Sequence, residues 1–251
     1  MPVKAKKANS KSGNYDGLHN LKGNRLLKKL EEIDSALQKA TTLTDFPGFY
    51  SLFGELRHSQ LLHTDKKDIR VALGCCFMEI FRLDSGMELD DEESALMIRM
   101  IFSCVQFLNN DSISNKKDRL LKVFGDLKES RVLQVLVSVD VGYKLSIDLV
   151  NLLFNLPDGI SEDVKDIRVS ILLSLLDLYK HIPHEILDLL LVELLDQDPS
   201  HSECVREVLL SRKSRFASSI QQFCMNVLCN NDSDCCYESG GVVGDCEIVK
   251  S

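Results

Sequence analysis

The sequence predicts an all-α fold, a solenoid of antiparallel helix pairs. Three observations carry that reading. Apolar residues recur at helical spacing along most of the 251-residue chain, with no strand-like alternation bounded by turn signals. Leucine dominates an apolar fraction of 44%, aromatic residues make up 6%, and Trp is absent. That balance suits helix-on-helix packing better than a sheet core. A pentapeptide, Lys-Asp-Ile-Arg-Val, occurs twice, at 67–71 and at 165–169.

The elements follow in order. Residues 1–17 are basic and poor in apolar side chains, which predicts a solvated, disordered tail, or else a weak nuclear-import signal or a phosphate-contacting arm. Helical spacing starts at 21–40, where Leu26, Leu27, Leu30, Ile33 and Leu37 fall on one stripe. It continues through 46–63, 66–83, 93–110, 116–140, 143–156, 161–182 and 183–197, with a last helix pair within 199–229. The joints carry stop and start chemistry. Leu156-Pro157-Asp158-Gly159 is a turn before a helix capped by Ser161. Pro183 is placed at a first helical position, where its missing N–H costs nothing, and Asp198-Pro199-Ser200 breaks the next joint. Elements of this length with short connections pack antiparallel to their neighbours. From 230 to 251 the helical period is gone, which predicts a disordered end and sets the folded domain at 18–229.

The pentapeptides are 98 residues apart, and the match continues in character. Glu79 stands against Asp177, Ile80 against Leu178, Phe81 against Tyr179 and Arg82 against Lys180. HEAT and armadillo units run roughly 40–47 residues, so two units with generous loops separate the copies. The predicted class is therefore a HEAT/armadillo-like α-solenoid, with Asp68, Arg70, Asp166 and Arg168 as its repeat signature. Asp68 and Asp166 are placed in a first turn, where exposed N–H groups and the dipole favour a carboxylate. Arg70 and Arg168 are each placed to reach an Asp of the adjacent unit. Ile69, Ala72, Leu73, Cys76 and Ile80 form one apolar face, and Val71, Cys75 and Met78 another. Cover on two faces is what an inner helix of a stack requires. A coincidental repeat in an ordinary closed bundle is the competing reading.

Composition narrows the function classes. No apolar run reaches the roughly 18 residues of a membrane span, since Asp177 interrupts the best stretch. The Lys-rich start has no apolar segment of a secretory signal, which predicts a reducing compartment and thiols for the nine Cys. A net charge of −8 argues against bulk binding to nucleic acid. There is no Gly-rich phosphate loop, nucleophile elbow or His-Glu-x-x-His pattern, so no catalytic residue, cofactor or small-molecule substrate is predicted. His58 and His63 fall on different helix faces, His181 and His184 flank Pro183, and these with His201 read as surface or joint residues. Cys224, Cys229, Cys235, Cys236 and Cys246 have spacings that fit a zinc site poorly, so no metal is predicted. Cys75, Cys76 and Cys104 read as small core residues. The acidic run 86–94 reads as a solvated loop feeding a helix N-terminus, with a docking patch for a basic segment as the alternative.

The same stretches resemble a known family. From about residue 21 to 229 the chain resembles, in order, the N-terminal HEAT-repeat region of the precocious-dissociation-of-sisters proteins, which regulate sister chromatid cohesion. Residues 66–83, with the Arg-Val-Ala-Leu-Gly-Cys-Cys core running into Ile-Phe-Arg, carry it most strongly. Residues 120–140, 143–156, 182–196 and 214–228 resemble the pairs that follow. The resemblance implies a nuclear, non-enzymatic scaffold acting in cohesion through cohesin subunits and through release and acetylation factors, and reaching chromatin indirectly. A generic HEAT adaptor of the transport or phosphatase type is the alternative. Two features depart from the family. Members are much longer and engage the kleisin subunit through their later part. Their Pro-rich segment after the Ile-Phe-Arg helix is replaced here by an acidic stretch without proline. No partner-binding residue is transferred.

Overall fold

The computed structural model describes residues 15–42, 46, 48–83, 90–109, 116–129, 131–138, 142–156, 162–195, 199–213, 216–217 and 220–221. The expectations placed on residues 1–14, on the loop 84–89, on the Pro157–Ser161 turn and its cap, on Asp198 and on the five cysteines of 222–251 lie outside them. Among the described residues there are eleven α-helices and no strand. The chain groups into two compact units, Met1–Val208 and Leu209–Ser251. In the smaller unit, the Phe216 N–H donates to the Arg212 carbonyl at 3.1 Å. All that follows concerns the larger one.

Helix α1 (Gly23–Leu37) buries Leu26, Leu30, Ile33 and Leu37, four of the five stripe residues; Leu27 is half-buried. The stretch expected as one helix over 46–63 is two, α2 (Phe49–Leu56) and α3 (Ser59–Leu62). The break is at His58, whose extended backbone leaves the helix while its ring accepts from the Gln60 N–H. Helices α4 (Lys67–Leu83) and α5 (Asp91–Gln106) follow. Asp90 caps α5 by accepting from the Glu93 N–H at 2.8 Å, and that bond holds its carboxyl below the usual range. The single helix expected over 116–140 is likewise divided, into α6 (Lys117–Asp126), a 3-10 turn (Leu127–Glu129) and α7 (Arg131–Ser138). Next come α8 (Gly142–Phe154), α9 (Glu162–Leu178), α10 (His184–Leu194) and α11 (Pro199–Ser211). Pro183 is the residue before α10 rather than its first; Pro199 holds the first helical position of α11.

The helices pack in two rows. One runs α1, α4, α6 with α7, then α9; the other runs α3, α5, α8, α10. Each helix meets the next in its row, and rungs such as α4–α5 and α7–α8 tie the rows together. Sequential contact of this kind is the mark of a stacked solenoid rather than a bundle closed round one centre. The copies of the pentapeptide fall on α4 and α9, two rungs apart within one row.

Helix α4 is the most enclosed element. Every residue from Val71 to Phe81 is buried, so both apolar faces expected of it are covered. Gly74 lets α5 come close. A Cβ there would stand 2.3 Å from the Met100 carbonyl oxygen and 2.5 Å from the Cys104 sulfur. The Cys104 thiol donates to the Val71 carbonyl at 3.2 Å. Residue numbers rise along α4 as they fall along α5, so the pair is antiparallel. Cys75, Cys76, Cys104 and Cys204 are buried free thiols, and burial pushes Cys76 and Cys104 well above the ordinary thiol range.

Candidate functional site

The four signature residues do not share one environment. Asp68 lies in the first turn of α4, as expected, and is exposed. Asp166 does not lie in a first turn. Helix α9 starts at Glu162, so Asp166 sits one turn in, also exposed. The same offset separates the arginines. Arg168 is 1% exposed and donates from Nη2 to the Leu156 carbonyl, just past the end of α8, at 2.9 Å. It therefore ties α9 to α8 through a carbonyl orphaned at the end of a helix. Arg70 is half-buried and makes no ion pair among the described residues, so the expected link to an Asp of the next unit is not made there.

The inter-helix ion ladder exists at residues outside the repeat signature. Arg119 of α6 forks onto Asp34 of α1, with Nε to Oδ2 at 2.9 Å and Nη2 to Oδ1 at 2.6 Å. Its Nη2 also reaches Glu79 of α4 at 2.9 Å and the Cys75 carbonyl at 3.3 Å. Gln38 donates to Asp34 Oδ2 at 2.9 Å. Burial alone would lower the Arg119 pKa; the Asp34 hydrogen bonds and the charges of Asp34 and Glu79 outweigh it and hold the guanidinium charged. Glu79 is 1% exposed and is also paired with Arg82 Nε at 2.6 Å. Arg82 Nη2 in turn donates to the carbonyls of Leu37 and Ala40, at 3.0 and 2.9 Å. An arginine of α4 thus closes the C-terminus of α1, where orphan carbonyls and the dipole favour a cation. Two signals in the sequence pointed here. Asp34 falls on the apolar stripe of α1, and Glu79 interrupts an otherwise apolar run of α4. Nothing in the sequence marks Arg82 as a cap.

His19, His201 and Glu93 make contacts between elements. His19 stacks flat on His58, with centroids 3.9 Å apart, and its Nδ1 meets Glu55 at 2.8 Å. His201 of α11 pairs with Glu193 of α10 at 2.9 Å and lies edge-on to Phe154 of α8 at 5.6 Å. Of the acidic run, Glu93 pairs with Arg57, whose guanidinium lies 4.9 Å over the Phe53 ring. No group of three His, Cys, Asp or Glu among the described residues is arranged to hold a metal ion. Tyr15, assigned to the tail by composition, stacks on Phe46 at 5.9 Å.

What the stack offers is clefts between rungs. One of about 470 Å³ lies among α1, α4 and α6, over the Asp34–Arg119 pair, with Val71, Ala72 and Leu120 as apolar lining. A second, of about 460 Å³, lies among α4, α5 and α8 and carries Arg70 and Arg99. A third, of about 330 Å³, lies beside Met78, Phe81 and Asp126. All are open and shaped by helix sides, which suits segments of other proteins better than an enclosed substrate.

Comparison with known proteins places this arrangement. A chain in the solved structure of the Pds5–Scc1 complex superposes with a TM-score of 0.72 and 17% identity. The match covers 82% of this chain and 32% of that one, so the chain spans about a third of the length of its structural neighbour. No curated protein matches. The family model described as sister chromatid cohesion protein PDS5 matches residues 24–242. That range contains every helix set out above except the first residue of α1, and the chain belongs to the PDS5 family of sister chromatid cohesion proteins.

Proposed function

We propose that this chain is a non-enzymatic, cohesin-associated scaffold that acts in sister chromatid cohesion by binding proteins. Family membership over residues 24–242 is the observation that carries the reading. The two-row stack supports it physically, because its open clefts present helix sides to a partner. The partners proposed are cohesin subunits, together with the release and acetylation factors that act on cohesin. The proposed location is the nucleus, with chromatin reached through those partners. The mechanism is binding alone: helix rows hold clefts in fixed register, and a partner segment gains affinity without having to order them.

Affinity capture of the tagged chain from dividing cells tests this. Recovery of cohesin subunits is the expected result. Capture that recovers none of them, with the protein cytoplasmic through the cell cycle, would overturn the assignment in favour of a generic HEAT adaptor.

A further inference from the structure

We propose that the cleft among α4, α5 and α8 is a docking groove for a short, extended, acidic segment of a partner protein. The inference rests on the scaffold reading and adds the chemistry of what one cleft takes. Arg99 and Gln106 stand two turns apart on α5, and Asp148 and Asn151 one turn apart on α8. Buried Phe102 and Leu152 line the same cleft, as does Arg70 of α4.

Charge selects the occupant. Neither Arg70 nor Arg99 has an acidic partner among the described residues, although the chain as a whole carries −8. Elsewhere in the same unit arginines are paired with acids, as Arg119 is with Asp34 and Arg82 with Glu79. Arg70 Nε is also buried and donates to nothing. A buried donor left unmade is unfavourable, and a carboxylate entering the groove would satisfy it and meet the second guanidinium. The amides of Gln106 and Asn151 both donate and accept. They match the unpaired N–H and C=O groups of an extended backbone. Asp148 opposes a continuous polyanion, which favours a short acidic stretch of protein over a nucleic acid strand.

A fluorescein-labelled peptide, Gly-Ser-Glu-Asp-Leu-Glu-Asp-Ser-Gly, titrated with the full chain and followed by anisotropy, tests the groove. Binding should weaken by at least roughly tenfold in Arg99→Glu, and by a similar factor in Arg70→Gln. Arg99 is exposed, so its charge reversal leaves the fold intact, as circular dichroism should verify. Arg99→Glu should bind a Lys-substituted peptide better than the wild type does. No binding to the wild type, equal binding of a Gln/Asn-substituted peptide, or an unchanged affinity in Arg99→Glu would each overturn the proposal. So would tighter binding of a single-stranded oligonucleotide of the same length. Cohesin capture with the wild-type chain separates the two readings. If cohesin is recovered while the peptide fails, the groove assignment falls and the scaffold stands.

Discussion

At the scale of single residues, one pentapeptide shows how far sequence identity constrains environment. Arg70 and Arg168 occupy the same place in Lys-Asp-Ile-Arg-Val, yet one is half-buried without an ion pair and the other is sealed against the Leu156 carbonyl. The cause is helix phase. Helix α4 starts at the pentapeptide, whereas α9 starts three residues before it. Arg168→Ala should therefore lower stability by about 1–3 kcal/mol, the range for a lost charged hydrogen bond. An unchanged urea midpoint would contradict that. A second residue sets an acid limit. Burial alone would raise the Glu55 pKa, but hydrogen bonds from the His19 ring and from the Gly17 and His19 backbone bring it below its ordinary value of 4.5. A carboxyl with a depressed folded pKa adds stability that is whole above its unfolded pKa and fades as pH falls through the folded value. Glu55→Gln should thus flatten the loss of thermal stability between about pH 5 and about pH 3, and leave the slope above that window alone.

At the scale of elements, periodicity located helical segments well and their ends poorly. The 3.6-residue stripe placed α1, α4, α5, α8, α9 and α10 within a few residues. It could not divide 46–63 or 116–140, because a stripe continues across a break that keeps the same face inward. His58 and the Leu127–Glu129 turn are such breaks, and neither contains proline or glycine. Of the candidate site, the signature residues were legible as repeats but not as contacts, since phase and partner are set in three dimensions. Gly74 makes the same point for packing. On propensity alone, Ala in mid-helix is favoured by about 1 kcal/mol. Here the added methyl would meet the Met100 backbone, so Gly74→Ala should destabilise by roughly 1–3 kcal/mol as overpacked cores do. A raised melting temperature for that variant would mean that α5 can withdraw.

At the scale of the whole larger unit, a stack of rungs distributes stability unevenly, because each rung is held by its neighbours. Helices α4 and α5, enclosed on both sides, should show the slowest amide exchange, and α10, with Val192 61% exposed, the faster. Uniform protection along the rows would argue for one closed core. The Arg82 cap has a further outcome for how such a chain can change length. A deletion that joined the two pentapeptides would remove 98 residues and fuse the start of α4 to the remainder of α9. The fused helix would then bring Lys180 to the place of Arg82 and Asp177 to that of Glu79. A lysine has no planar fork with which to hold a carboxylate and two carbonyls together. The shortened protein would thus leave the end of α1 without the bridge that Arg82 makes, so the two copies of the pentapeptide helix are not interchangeable.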